Sequence, residues 1–269
     1  MSNNSNRLSN KICLITGAAR GIGLNIARAM GKEGCMLAIS DINEKMLSHA
    51  KEKLLKDGLH VEVFPADLAL KGEPKRLVNK VVGKFGKLDV VVNNARAGEK
   101  YSVENESEDN WDLSHNVNLK STFFLAQAAI EFMPKDSSII TISSVSASLI
   151  SEDSPSYHIS KAGLSHLTRY LAVFLGKKGI RVNSVKPGFI IQDEHRTKYL
   201  ATGAKQEKYR AATESLHPLG TGPGYSDDVA NAVVFLASQE AKFITGQEIV
   251  VDGGMTIQDP TKILFSYAL

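Results

Sequence analysis

Apolar runs of strand length alternate with segments of helical period along the chain. The runs fall at 11–16, 35–40, 60–66, 88–93, 138–143, 180–185 and 248–251. Several, such as ICLIT and VVV, are apolar throughout rather than alternately polar. A strand with one wet face alternates, whereas an uninterrupted apolar run is covered on both faces, as in a parallel sheet. Between the runs, apolar spacings of three and four predict helices over 22–33, 44–56, 74–85, 110–133, 157–176 and 227–237. Ser226 is the expected N-cap of the last, with Asp227 and Asp228 in a first turn whose dipole favours acids. Strand–helix repetition implies right-handed βαβ units. The expected fold is α/β, a doubly wound parallel sheet of seven strands flanked by helices. No Pro- or Ser-rich linker, internal repeat or low-complexity tract interrupts it, so residues 1–269 read as one domain.

Two parts break the rhythm. Residues 189–225 are polar and glycine-studded and follow the sixth strand, which places them outside the carboxyl ends of the strands. In an open α/β sheet that is the ligand side, so this insertion is the expected substrate lid. The tail, 256–269, ends in ILFSYAL and is expected to pack on a partner subunit or on the domain surface.

Composition narrows the function classes. With 43% hydrophobic and 23% charged residues, the chain can bury one large core. The net charge of +3 is spread along the sequence, and no basic block suggests nucleic acid or a membrane surface. Cys13 and Cys35 sit in apolar runs and read as buried small hydrophobes; no Cys/His cluster has metal-ligand spacing. No apolar run reaches the roughly 20 residues of a membrane helix. The polar opening MSNNSNRLSN lacks a signal-peptide core, so the expected location is the cytoplasm.

Between the first strand and first helix, TGAARGIG places Gly17, Gly21 and Gly23 in a turn. Glycines there let the chain reverse and let backbone N–H groups approach a pyrophosphate, which the helix N-terminus also attracts. Arg20 could pair with a phosphate. Asp41 ends the second strand, where a carboxylate accepts hydrogen bonds from both hydroxyls of an adenosine ribose and repels a 2′-phosphate; NAD is favoured over NADP. Asp41 could also cap the helix beginning near Asn43. Asp67 or the Leu68 backbone, after the third strand, can meet an adenine amino group, and a capping role for Asp67 is equally open. After the fourth strand, Asn93 and Asn94 can hold turns together and line the pocket.

A second constellation lies in SPSYHISK. Tyr157 and Lys161, four residues apart, share one helix face. An ammonium beside a phenol stabilises the phenolate and is expected to lower its pKa toward working pH. Alone, the pair reads better as a surface aromatic–cation contact.

Taken in order, TGAARGIG, DL, NNA, NVNL, ISS, YHISK, KPG and ITGQEIVVDGG resemble the short-chain dehydrogenase/reductase family from residue 11 to about 256. The resemblance implies a Rossmann-type domain and an oxidoreductase. Tyr157 would be the acid/base, Lys161 its modulator and the nicotinamide ribose clamp, Ser144 the carbonyl binder and Asn118 the anchor of a relay water. Ser143 is a rival to Ser144 one position away. The cofactor contacts implied are Gly17, Arg20, Gly21, Ile22, Gly23, Asp41, Asp67, Leu68, Asn94, Ala95, Tyr157, Lys161, Pro187, Gly188 and Ile190. The reaction implied is NAD(H)-dependent interconversion of a secondary alcohol and a ketone on a small-molecule substrate, in a homodimer or homotetramer built through the helices at 110–133 and 157–176. The alternatives are an NADP(H)-dependent 3-oxoacyl or polyketide-type ketoreductase and, from another class, a non-catalytic dinucleotide-binding regulator.

Three positions depart from the family pattern. Arg96 replaces the usual glycine after NNA; it either reaches an anionic group on the substrate or faces solvent or a nearby acid. Gln192 takes a place often held by threonine, where its amide could meet the cofactor carboxamide, and Lys186 precedes Pro187. His195 and His217 in the insertion are candidate substrate contacts, and Trp111 is read as a packing residue.

Overall fold

The computed structural model describes residues 6–259. Its strands are β1 (Ile12–Thr16), β2 (Met36–Ser40), β3 (Val61–Val63), β4 (Val90–Asn93), β5 (Ser138–Ile142), β6 (Arg181–Pro187), the short β7 (Ile190–Ile191) and β8 (Gly224–Tyr225), and β9 (Glu248–Val251). Seven form one sheet in the order β3-β2-β1-β4-β5-β6-β9, every pair parallel; β7 and β8 pair separately. The chain builds outward from β1 to β3 and then returns to start again at β4. That reversal opens a crevice at the carboxyl ends of β1 and β4.

The apolar strands are buried on both faces, as their composition requires. Cys13, Ile15, Val90, Val92, Ile140 and Ile142 face α1 (Gly21–Lys32), α2 (Glu44–Lys56) and, later in the chain, a helix spanning Ser226–Ala237. Leu14, Val91 and Ile139 face α3 (Glu73–Phe85) and two further helices, Ser121–Ala129 and Pro155–Gly176. In chain order the remaining helices are α4 (Glu108–His115), α5 (Ser121–Ala129), α6 (Pro155–Gly176), α7 (Asp193–Leu200), α8 (Ala204–Ser215) and α9 (Ser226–Ala237). Among the described residues no helix is long and apolar enough to cross a membrane. Cys13 and Cys35 are buried free thiols.

Three expectations are corrected. The run 60–66 keeps only three residues in β3, because Pro65 has no N–H for the ladder, although Phe64 and Ala66 still donate to Ile39 and Asp41. The single helix expected over 110–133 is broken by a π turn, Asn116–Lys120, in which the Ser121 N–H reaches the Asn116 carbonyl. The N-cap of α9 is Tyr225, not Ser226; the Asp228 carboxylate accepts from the Tyr225 N–H at 2.7 Å, while the Ser226 hydroxyl is buried inside the first turn. The insertion 189–225 is built from α7, α8 and the β7–β8 pair. Most of the tail, 260–269, lies outside the described residues.

Candidate active site

A cavity of about 740 Å³ opens where β1, β2, β4, β5 and β6 end. One end is built by the glycine turn. Gly17 (φ +63°) and Gly21 (φ +54°) adopt left-handed backbone that favours glycine. A Cβ on Gly17 would stand 2.8 Å from the Ala95 Cα, and one on Gly23 would overlap the Gly17 carbonyl oxygen. The turn is therefore pressed against the end of β4. Asn94 locks it there, its Nδ2 donating to the carbonyls of Thr16 and Gly17 at 2.9 Å each.

Asp41 stands at the tip of β2 and lines the same end. Its carboxylate accepts from the Ala19 N–H at 3.2 Å and from the Asn43 N–H at 3.0 Å, tying the glycine loop to the start of the β2–α2 connection. Capping of α2 falls to Asn43, which accepts from the Met46 N–H, so Asp41 is not that helix's cap. A glycine cradle at a helix N-terminus, with a carboxylate at the end of the next strand, fits a nicotinamide dinucleotide.

The other end carries the proton chemistry. Ser144, at the close of β5, and Tyr157 and Lys161, on successive turns of α6, line the cavity together. Ser143 lines it too, but its hydroxyl donates to the Lys161 carbonyl and is fixed to α6. The Ser144 Oγ accepts from the Ser146 N–H at 3.1 Å, which fixes the hydroxyl toward the cavity. Lys161 is 3% exposed and its Nζ donates to the Ile142 carbonyl at 2.7 Å.

The electrostatics reverse one expectation. Burial pushes the Tyr157 phenol above its ordinary value; Ser144 and then Arg96 pull against that, and Asp153 adds a smaller upward push. The Lys161 Nζ lies 5.6 Å from the centre of the Tyr157 ring and is bonded to the Ile142 carbonyl. Burial, with Arg96 second, instead lowers Lys161 to about 7. The group brought closest to neutral pH is the lysine.

Asn118 sits in the π turn, 1% exposed. Its Oδ1 accepts from the Ala97 N–H at 2.9 Å, and its Nδ2 donates to the Ser114 and Ser160 hydroxyls and the Ala97 carbonyl. The side chain thus pins the loop after β4 to α4 and α6, and does not itself line the cavity.

Of the other expected contacts, Ile22, Pro187, Gly188, Ile190, Arg20, Gln192 and Arg96 line the cavity. Gly21, Ala95, Asp67 and Leu68 do not. Asp67 caps its own turn, accepting from the Ala69 N–H at 3.0 Å. Gln192 lies over Gly21. The start of α7 is fastened to the start of α1 by Arg20–Glu194 at 3.6 Å and Asn25–Asp193 at 2.9 Å. His195 is exposed and His217 is buried against Phe189; neither lines the cavity. Trp111 stacks on His115. Lys186 is buried beside Glu248 at 3.6 Å and donates to the Ser148 hydroxyl. Met46, Phe189 and Asp153 are lining residues that no motif signals.

Arg96 is exposed, with its guanidinium carbon 5.0 Å from the centre of the Tyr157 ring. Among the described residues it has no ion pair, so the acid-pairing reading fails.

The comparisons agree with this geometry. A family model described as enoyl-(acyl carrier protein) reductase matches residues 17–256. A 3-oxoacyl-[acyl-carrier-protein] reductase, FabG, of Thermotoga maritima is 38% identical over 257 residues, covering 93% of this chain and all of the relative. A 7alpha-hydroxysteroid dehydrogenase of Bacteroides fragilis is 35% identical, covering 95% and 98%. The crystal structure of gox2181 superposes with a TM-score of 0.85 at 30% identity over 96% of this chain and all of that one. A short-chain dehydrogenase/reductase from Serratia marcescens does so at 0.83 and 28%, over 93% and 99%. Sheet order, glycine cradle and full-length similarity converge: the chain belongs to the short-chain dehydrogenase/reductase family and is an oxidoreductase acting on CH–OH or ketone groups.

Proposed function

We propose that the protein interconverts a secondary alcohol and a ketone with NAD(H). The observation that carries this is one cavity with Ser144, Tyr157 and buried Lys161 at one end and Asp41 beside the glycine turn at the other. The bound nicotinamide would supply or accept hydride at the carbonyl carbon. The chain's own residues do the rest. Ser144 and Tyr157 donate hydrogen bonds to the substrate oxygen, and the phenol gives its proton as charge develops there. Lys161, poised near 7, replaces that proton at little cost. Asn118 holds the Ala97 backbone and Ser160 so that β4 and α6 keep their spacing. Asp41 selects the unphosphorylated ribose.

A second reading is an NADP(H)-dependent reductase of 3-oxoacyl thioesters, favoured by the names of several relatives and by Arg20, which is 68% exposed and free to leave Glu194 for a phosphate. For assembly, exposed Phe124, Tyr170, Val173 and Phe174 on α5 and α6 support a second copy packed on those helices. Nicotinamide absorbance with a panel of secondary alcohols and ketones tests the reaction. Tyr157→Phe is expected to lose roughly 10²–10⁴-fold in kcat; equal turnover in both proteins would end the assignment.

A further inference from the structure

We infer that Arg96 makes this site selective for oxo and hydroxy acids, the guanidinium receiving a substrate carboxylate while Ser144 and Tyr157 hold the reacting oxygen. The inference deepens the oxidoreductase reading and rests on it. Arg96 stands on the loop leaving β4, exposed, in the wall of the cavity that Tyr157 and Ser144 also line. Its Cζ lies 5.0 Å over the Tyr157 ring. It is therefore held at the reaction end of the cavity.

Acids of the same loop and of the cavity wall have partners of their own. Glu106 accepts from Asn110 and from the Ser156 N–H, and Glu99 accepts from the Tyr101 hydroxyl. Asp153 accepts from the Ser151 hydroxyl at 3.0 Å. Among the described residues none forms an ion pair with Arg96. The reaction end thus sets the permanent cation of Arg96 against the single carboxylate of Asp153. An unpaired guanidinium facing a partly enclosed cavity presents a planar fork of N–H donors that matches a carboxylate bidentately.

Geometry narrows the class. The guanidinium carbon is only 5.0 Å from the Tyr157 ring centre, so a carboxylate on Arg96 and a carbonyl oxygen on the phenol belong to one short substrate, of which 2-oxo and 3-oxo acids are the simplest. A thioester or simple ketone gives Arg96 no charged partner and leaves it as a cation beside the phenol.

The test is the reduction of 2-oxobutanoate and 3-oxobutanoate, each against its methyl ester, by wild type, Arg96→Gln and Arg96→Lys. Wild type is expected to prefer the acid at least tenfold in kcat/KM in one pair, chiefly through KM, with the preference falling as salt is raised. In Arg96→Gln the acid-to-ester ratio drops at least tenfold, and Arg96→Lys recovers part of it. Wild type that reduces esters or neutral ketones as well as the acids overturns the inference and leaves the oxidoreductase reading standing. So does an unchanged ratio in Arg96→Gln, or a loss that tracks weaker nucleotide binding in a fluorescence titration. No hydride transfer to any of these compounds or to a neutral ketone panel, with either nucleotide, sinks both.

Discussion

Replacing Lys161 by methionine should stabilise the fold while removing turnover. Lys161 is 3% exposed and its pKa falls from 10.5 to about 7. At about 1.4 kcal/mol per pKa unit, seating the ammonium there costs about 5 kcal/mol when both folded and unfolded lysines are protonated. Methionine has similar length and no charge. Against the gain stands the bond from Nζ to the Ile142 carbonyl, 2.7 Å long, whose loss costs about 1–3 kcal/mol. The net expectation is about 2–4 kcal/mol of added stability at pH 6.5, a rise in Tm of roughly 5–10 °C for a chain of this size. The sign with pH follows from the direction of the shift. The folded lysine loses its proton near 7 and the unfolded one near 10.5, so wild-type stability is lost as pH falls from 10.5 through 7. The advantage of Lys161→Met is therefore complete below pH 7 and shrinks by about 1.4 kcal/mol per pH unit as pH rises from 7 toward 10. Urea unfolding followed by the single tryptophan, Trp111, reads both quantities. A variant no more stable than wild type at pH 6.5, or an advantage that does not shrink toward pH 9.5, would refute the reasoning that burial dominates this site.

Gly23→Ala should fold, by circular dichroism, yet bind NADH at least a hundredfold more weakly in a fluorescence titration, because its methyl would overlap the Gly17 carbonyl and force the cradle open. Undiminished binding would mean the nucleotide does not use this turn. Asp41→Ser should raise the NADPH-to-NADH ratio of kcat/KM roughly 10- to 100-fold, the worth of removing about 1–3 kcal/mol of repulsion between two nearby anions. A wild type that already prefers NADPH would remove Asp41 from that role.

The parts legible in the sequence are those set by local periodicity and spacing. Continuous apolar runs announced a sheet buried on both faces, and the alternation of Cys13 and Ile15 against Leu14 bears this out. Gly17, Gly23, Asp41 and Asn94 lie where strand ends and turn chemistry put them. The features that escaped depend on distant partners. Nothing near Arg20 points to Glu194, and nothing near Gly21 points to Gln192 lying over it. The i, i+4 spacing of Tyr157 and Lys161 placed them on one face, but the direction of the Lys161 amine is decided by the Ile142 carbonyl at the end of β5. The break at Asn118 is also a tertiary effect, since its amide bonds Ala97 and Ser160, both outside its own helix, as well as Ser114.

That wide turn also constrains how the chain can change. A residue more or less in a helix swings everything downstream by about 100°. The wide turn is where one extra residue is taken up, so deleting one position from Asn116–Lys120 would restore regular winding with Leu125, Ala126 and Ala129 still on the sheet, at the cost of the bonds that Asn118 makes to Ala97 and Ser160. The residue count from Ser114 to Leu125 is thus set by what Asn118 must reach rather than by the packing of α5.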